Sequence, residues 1–363
     1  MVHTAELTYF PNAQLIKAFQ KLKDSVYYSQ DHIWYNGSLK DQGLKFRMRI
    51  IDNGGFISPR LSCRINFSKV LHPQDKITLI TAWDVQAVED RFNELVKELL
   101  PQLPPFKYWW VNRIDYCVNV HTPYVEDYIN LMKKGDRHFM QDWYDRNRNY
   151  TQKPGSLYLV STARRKRNRG VTVNFYNKLD EMMKSFEGSG ELPNDDELEE
   201  LPEDILRLEV QCHKTKTEHI RKKYGMEKKT VPYFLAPEIA YEIISTYLKR
   251  IAGTADYHRK SVALKMIDAT GCRRETKEKL KRIIEDVAKQ HSSVAKVRAT
   301  YEKNGTMKKD EFNRLINTLQ SHNINPVTIG NKIHLKDKRL KDGLESVFSI
   351  FENAFEEEMT KEG

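Results

Sequence analysis

Apolar residues recur at helical spacing over 12–25, where Leu15, Ile16, Phe19 and Leu22 share one face, and this spacing predicts a helix. From 32 to 71 the texture changes to strand-like alternation. FRMRIIDNGG ends in a turn signal, and ISPRLSCRINFSKVL continues as a further strand or two. Residues 84–100 return to helical spacing, with Val85, Val88, Phe92, Leu95 and Leu99 aligned, Asp84 as N-cap and Pro101 as stop. YWWVNRIDYCVNV (108–120) is a strand by composition. SLYLVST (156–162) and VTVNFYNK (171–178) predict a hairpin around a basic tip, and ILRLEVQCH (205–213) predicts a fourth strand. After about 214 the strand signal gives way to helices over 236–251, 257–269, 275–291, 293–302 and 309–322, and to a last amphipathic helix in ESVFSIFENAFEEEM. The expected fold class is α+β. A central antiparallel sheet domain (1–225) precedes an all-helical domain (226–363), with the boundary inside 214–235.

Composition narrows the class. Hydrophobic residues are 39% and charged residues 30% of the 363, which fits a folded protein rather than a disordered one. Sixty Lys and Arg against fifty Asp and Glu give a net charge of +10, which favours a polyanionic partner. Much of the negative charge sits in EGSGELPNDDELEELPED (187–204), which reads as a mobile, solvated loop with nine acidic residues and no basic one. Without that loop the rest of the chain carries +19. The loop is either a plain linker or a DNA mimic that restrains a basic groove. The four cysteines form no C-x-x-C pair, which excludes a zinc ribbon and a thioredoxin-type site, and four thiols in this length fit a reducing cytoplasm. No apolar span of about 20 residues predicts a membrane helix, and MVHTAELTYF lacks the pattern of a secretory signal.

Residues two apart on a strand share a face. In 108–120 the even positions Ile114, Tyr116, Val118 and Val120 form a core face, so the odd face carries Arg113, Asp115, Cys117 and Asn119. In 205–213 the odd face carries Arg207, Glu209, Gln211 and His213. In 171–178 the even face carries Thr172, Asn174, Tyr176 and Lys178. If the three strands are neighbours, these faces add up to one site. Two carboxylates (Asp115, Glu209) with a histidine in phase (His121 or His213) make a hard-cation site for Mg²⁺ or Mn²⁺. Such a metal polarises a phosphoryl oxygen. Tyr176 is a candidate nucleophile, and a nearby metal or Lys178 would stabilise its phenolate. The plainer alternative is a solvated sheet face with cross-strand ion pairs.

The hairpin tip ARRKRNRG holds Arg164, Arg165, Lys166, Arg167 and Arg169. Five cations on a tight loop read as a phosphate clamp, against the alternative of a solvated charged loop. Trp109, Trp110, Trp143, Tyr144 and Tyr150 offer stacking surfaces for single-stranded bases, although Trp109 and Trp110 read first as core. The helices over 275–322 carry Lys277, Lys279, Lys281, Arg282, Lys296 and Arg298, which suit either a helix-turn-helix-like origin reader or an ordinary bundle. No G-x-x-x-x-G-K-[ST], G-x-S-x-G or H-E-x-x-H motif occurs, so a P-loop ATPase, an elbow-type hydrolase and a zincin are unsupported.

RIDYCVNV (113–120), VNFYNKLDEM (173–182) and LRLEVQC (206–212), in that order, resemble the replication initiators of filamentous phages of the gene II/X type and related rolling-circle plasmid proteins. SCRINFSKVL and NINPVTI (323–329) resemble flanking segments of the same family. The resemblance implies a site-specific endonuclease and strand transferase that nicks single-stranded origin DNA. Tyr176 would form a 5′-phosphotyrosine link and free a 3′-hydroxyl for host polymerase, with a helicase as a further partner. It implies Asp115 and Glu209 as metal ligands, and Lys178, Arg113 and Arg207 as phosphate contacts. The family's pattern is incomplete here. The His-x-His pair common in metal-dependent tyrosine nickases is missing, and a second tyrosine one turn on is replaced by Asp180. Termination then needs a second subunit of a homodimer, an activated water or another tyrosine. A relaxase, a single-strand transposase or a non-catalytic nucleic-acid-binding protein are the alternatives.

Overall fold

The computed structural model describes residues 1–22, 26–29, 32–35, 37–49, 59–74, 77–136, 140–142, 155–161, 170–189, 204–330 and 343–360. Within them the chain is mixed α+β. Ten strands form one sheet in the order β2 (Val26–Ser29), β3 (His32–Tyr35), β4 (Leu44–Arg49), β5 (Arg60–Asn66), β1 (Val2–Tyr9), β6 (Trp110–His121), β10 (Ile205–Cys212), β9 (Val171–Asn177), β8 (Ser156–Ser161), β7 (Met140–Asp142). Every neighbouring pair in it is antiparallel. The twelve-residue β6 lies between β1 and β10 and is the spine of the sheet.

One face of the sheet is apolar because its strands alternate. Phe46, Leu61, Leu7, Ile114, Leu208 and Val173 are all buried on it. Three helices help to cover it: α3 (Val85–Leu99), α8 (Pro237–Ala252) and α13 (Val347–Thr360), the last two lying against β6. Trp109 is a core residue, its ring 6.0 Å from those of Tyr9, Phe46 and Phe92. Its neighbour Trp110 is 48% exposed, which corrects the expectation that both belong to the core.

Two irregularities explain this. The β1–β6 pairing slips between Glu6 and Leu7, so that Asn112 is an extra residue on β6, and again between Val2 and Thr4, so that His3 is extra on β1. A bulge puts consecutive side chains on one face and reverses the parity of the residues beyond it. Trp110 and Asn112 therefore share the polar face with Arg113 and Asp115, and His3 shares it with Thr4 and Glu6.

The helices predicted after 214 are present. They include α9 (Lys260–Ala269), α10 (Arg274–Ala288), α11 (Val294–Lys303) and α12 (Lys309–Ser321), while α6 (Lys214–Lys223) is a further helix inside the span read as the boundary. Among the described residues the all-helical expectation has one exception, a two-stranded pair of β11 (Tyr257–His258) and β12 (Gly343–Leu344). The segment NINPVTI is structural: buried Asn325 donates to the carbonyls of Ala252 (2.8 Å) and Ala255 (3.2 Å) and accepts from Val327 N. The basic faces of α10 and α11 are engaged within the bundle. Lys279 bridges Glu275 and Glu311, Lys281 pairs with Asp268, and Arg282 lies over the Tyr301 ring. Lys277 and Lys296 donate to backbone carbonyls, and buried Arg298 pairs with Asp136. Among the described residues no helix is long and apolar enough to cross a membrane.

Candidate active site

The condition set by the sequence is met in the sheet order: β6, β10 and β9 are neighbours, and their polar faces form one surface. Register fixes its grid. Arg207 stands between Asn119 and Tyr176, Glu209 between Cys117 and Asn174, and Gln211 between Asp115 and Thr172. Thr4 of β1 lies beyond Asp115. The alternating residues of three strands thus place both carboxylates, Arg207 and Tyr176 within a few strand spacings of about 4.8 Å each.

Asp115 is buried and turned toward β1. Arg113 clamps it with two donors, Nε at 2.9 Å and a terminal nitrogen at 2.8 Å, and the Thr4 hydroxyl also donates to it. Arg113 in turn reaches Glu6 at 2.8 Å. It is therefore committed to carboxylates rather than open to a phosphate. Glu209 is buried and receives Gln211 Nε2 at 2.5 Å, Asn174 Nδ2 at 3.3 Å and His3 Nδ1 at 3.3 Å. Burial and the Glu209 charge push the Asp115 carboxyl up to about 6, against the pull of Arg113 and Thr4. Burial alone would raise Glu209 too, but the bond and the charge of His3, the bond from Gln211 and the charge of Arg207 hold it down at about 2. Burial lowers the His3 imidazole pKa, against the bond and charge of Glu209, which raise it.

The histidine at Glu209 is therefore His3, and not either residue expected from strand phase. His121 is exposed at the end of β6, opposite Ile205, four residues from the position facing Glu209, or about 13 Å along the strand. His213 is four residues from Glu209 in the other direction, as N-cap of α6, with Nε2 3.0 Å from Thr172 Oγ1. Sequence spacing does not single out His3, because β1 lacks clean alternation. Its one signal is the parity break in VHTAELTY, where Val2 and then Ala5 and Leu7 face the core.

A neutral imidazole beside an ionised carboxylate suits a hard divalent cation. His3 and Glu209 fit that chemistry, whereas the Asp115 oxygens are taken by Arg113 and Thr4. Among the described residues, no three His, Cys, Asp or Glu side chains are grouped to hold a metal.

Tyr176 is 7% exposed. Burial and Glu209 hold its phenol well above the usual range, and Arg207 is the cation that opposes them. Lys178 does not belong to the strand: it opens α5 (Lys178–Ser189), is buried, and donates to Glu181 at 2.5 Å. Burial and Arg207 lower its ammonium pKa. Arg207 is fully buried. Its Nε donates to Asn119 Oδ1 at 2.7 Å and one terminal nitrogen to the Ile77 carbonyl at 2.6 Å. Its other terminal nitrogen, and Asn174 Oδ1, have no partner among the described residues. Arg207 is paired with Tyr176 and Asn174 with Glu209 across β9 and β10, so a buried donor and a buried acceptor without partners belong to residues of this cluster.

Arg164, Arg165, Lys166, Arg167 and Arg169 lie outside the described residues, as do Trp143, Tyr144 and Tyr150 and most of the acidic 187–204 segment. Comparison with family models, with characterised proteins and with solved structures finds no match.

Proposed function

We propose that the protein is a rolling-circle replication initiator that nicks and rejoins single-stranded origin DNA through Tyr176. One observation carries this reading: the strands with R-x-D, Tyr176 and R-x-E are adjacent, so one sheet face holds a tyrosine, a buried arginine and two carboxylates. Phosphoryl transfer asks for that set, a nucleophile with charge stabilisation around the phosphate. Tyr176 Oη bonds to phosphorus while the bond from phosphorus to the 3′ oxygen breaks. The phenol gives up a proton, and the leaving oxygen gains one as the 3′-hydroxyl. The open Arg207 nitrogen donates to the phosphate, and the Arg207 charge lowers the cost of the phenolate.

A divalent Mg²⁺ or Mn²⁺ ion would be held by His3 and Glu209 and would supply Lewis-acid polarisation of the phosphoryl oxygen. In this reading residues 1–225 are the nicking unit, acting in the cytoplasm and handing the 3′-hydroxyl to host polymerase and helicase. A second copy of the chain is the natural source of a terminating tyrosine. A binding-only reading draws on a single observation, the near-complete burial of Tyr176.

The test is incubation with labelled circular single-stranded DNA from the element's own origin and Mn²⁺ or Mg²⁺, comparing wild type with Tyr176→Phe on denaturing gels. Label retained on wild type and lost in the variant supports the nickase. Label retained by both moves the nucleophile elsewhere. Tight binding without cleavage under any metal supports the binding-only reading.

A further inference from the structure

The polar face continues past the Tyr176 cluster over β1, β5 and β4, and nothing in the reaction uses that part. Its side chains stand in rows across the strands. Lys45, Arg64, Glu6 and Arg113 are opposed in one row, and Arg47, Ser62, Thr8 and Trp110 in the next. Arg49 faces Arg60 in a third. Like charges placed directly opposite in a sheet repel. Lys45 and Arg64 are such a pair, both exposed and with no ion pair among the described residues. Burial lowers the Lys45 pKa, and the charges of Arg64, Lys40 and Lys69 lower it further, against Asp41. A polyanion relieves that repulsion.

The same rows end in aromatic surface. Phe10 and Trp110 are 52% and 48% exposed, and their rings meet edge to face at 6.1 Å. The Arg60 guanidinium lies 5.6 Å from the Phe10 centroid, and its buried Nε has no partner among the described residues. Exposed rings beside guanidinium groups and a cationic row make the surface on which unpaired bases stack while phosphates are neutralised alongside. Duplex bases, paired and stacked on each other, have no face to offer it.

We propose that Phe10, Trp110 and Arg60 form a base-stacking platform and that Lys45 and Arg64 hold the adjoining phosphates of single-stranded DNA. The inference rests on the nickase reading for its choice of DNA as the polymer. Along β6, Trp110 is nine residues from Asn119, the residue in line with Tyr176, so the platform lies on the order of 25 Å from the phenol. It would grip the strand several nucleotides from the cut.

The test measures fluorescence anisotropy of a labelled 20-nucleotide oligothymidylate on full-length protein carrying Tyr176→Phe, so that cleavage plays no part. Phe10→Ala/Trp110→Ala should weaken binding at least about tenfold, and Phe10→Tyr/Trp110→Phe should restore it to within about twofold. Lys45→Ala/Arg64→Ala should weaken it and flatten the salt dependence by about 1.4 in the log–log slope. Unfolding curves matching the parent show that the variants fold. Unchanged affinity in the double alanine variant overturns the platform. An equal loss on a 20-base-pair duplex overturns its preference for unpaired bases, and tighter binding of oligouridylate by the parent overturns the choice of DNA. Failure of the adduct assay with these binding effects intact sinks the nickase reading alone.

Discussion

His3 Nδ1 lies 3.3 Å from Glu209 Oε2, although 206 residues separate them in the chain. Two features of the sheet create the contact. β1 and β10 are both neighbours of β6, and the bulge at His3 turns its ring to the face that Glu209 occupies. Burial favours the neutral imidazole and Glu209 is held ionised, and a cation binds the deprotonated forms of both.

His3→Ala should therefore raise the Mn²⁺ concentration for half-maximal adduct formation at least about tenfold, since one of two fitting donors is lost. His121→Ala and His213→Ala should leave it unchanged, because neither ring lies at Glu209. A metal titration of adduct yield for the three variants decides it. An effect of His213→Ala equal to that of His3→Ala would return the assignment to strand phase.

The two buried carboxylates set a second expectation. Asp115 is raised to about 6 chiefly by burial and by Glu209. A carboxyl that holds its proton longer when folded than when unfolded makes stability fall as pH rises, here from about 4 through 6. Glu209, held at about 2, acts oppositely, adding stability as pH rises from about 2 to its ordinary value near 4.5. Glu209→Gln removes the like charge and should bring the Asp115 pKa below 6. Carbon-13 titration of the Asp115 carboxyl measures it, and urea unfolding between pH 4 and 7 should show a shallower decline in the variant. An unmoved Asp115 titration would mean that burial alone raises it.

The alternation of β6, β9 and β10 is enough to single out Asp115, Glu209, Arg207 and Tyr176, because period-two patterning survives wherever strands are regular. The features hidden from it are irregular ones. The bulge at Asn112 flips Trp110 out of the core, and the bulge at His3 hides a polar residue in a strand that does not alternate cleanly. Strand phase groups Lys178 with Tyr176, but the chain turns into α5 at that residue and sends the ammonium to Glu181. The cationic rows of β4 and β5 are present as alternating Lys and Arg, yet only cross-strand register shows that they face one another. The charges of α10 and α11 go the other way: prominent in sequence, they are spent on Asp268, Glu275, Glu311 and Asp136 within the fold.

NINPVTI gives a structural prediction. Asn325 closes the end of α8, where Gly253 adopts φ +79°, by bonding to the carbonyls of Ala252 and Ala255. Asn325→Ala takes the donor from the Ala255 carbonyl and the acceptor from Val327 N in a buried place, while the Ala252 carbonyl keeps only the Tyr257 hydroxyl at 3.3 Å, which costs about 2–3 kcal/mol. Urea denaturation measures it. Adduct formation per folded molecule should not change, since Asn325 lies outside the Tyr176 face; a selective loss of activity would give the motif a role in the reaction.

Arg207 separates stability from chemistry. It is a fully buried cation that bonds to an amide and a carbonyl, Asn119 and Ile77, and leaves one nitrogen open. Desolvating such a charge costs free energy that its two neutral acceptors only partly return. Arg207→Met removes the charge and the orphaned donor while keeping the volume. It leaves Asn119 Oδ1 unpaired, although Asn119 Nδ2 still reaches the Ile77 carbonyl at 3.1 Å. The variant also withdraws the charge that helps hold buried Glu209 ionised, so unfolding free energy should fall by about 1–2 kcal/mol. Asn119→Ala keeps the buried charge and removes its best acceptor, and should cost about 2–3 kcal/mol. Adduct formation should show the reverse order. Without the guanidinium, Tyr176 loses the cation that opposes its raised pKa, and the phosphate loses its donor. Arg207→Met should therefore reduce the adduct rate at least about a hundredfold, and Asn119→Ala should reduce it far less. If Arg207→Met unfolds the protein while Asn119→Ala is silent, the guanidinium is a structural tie, and its open nitrogen has no part in holding the phosphate.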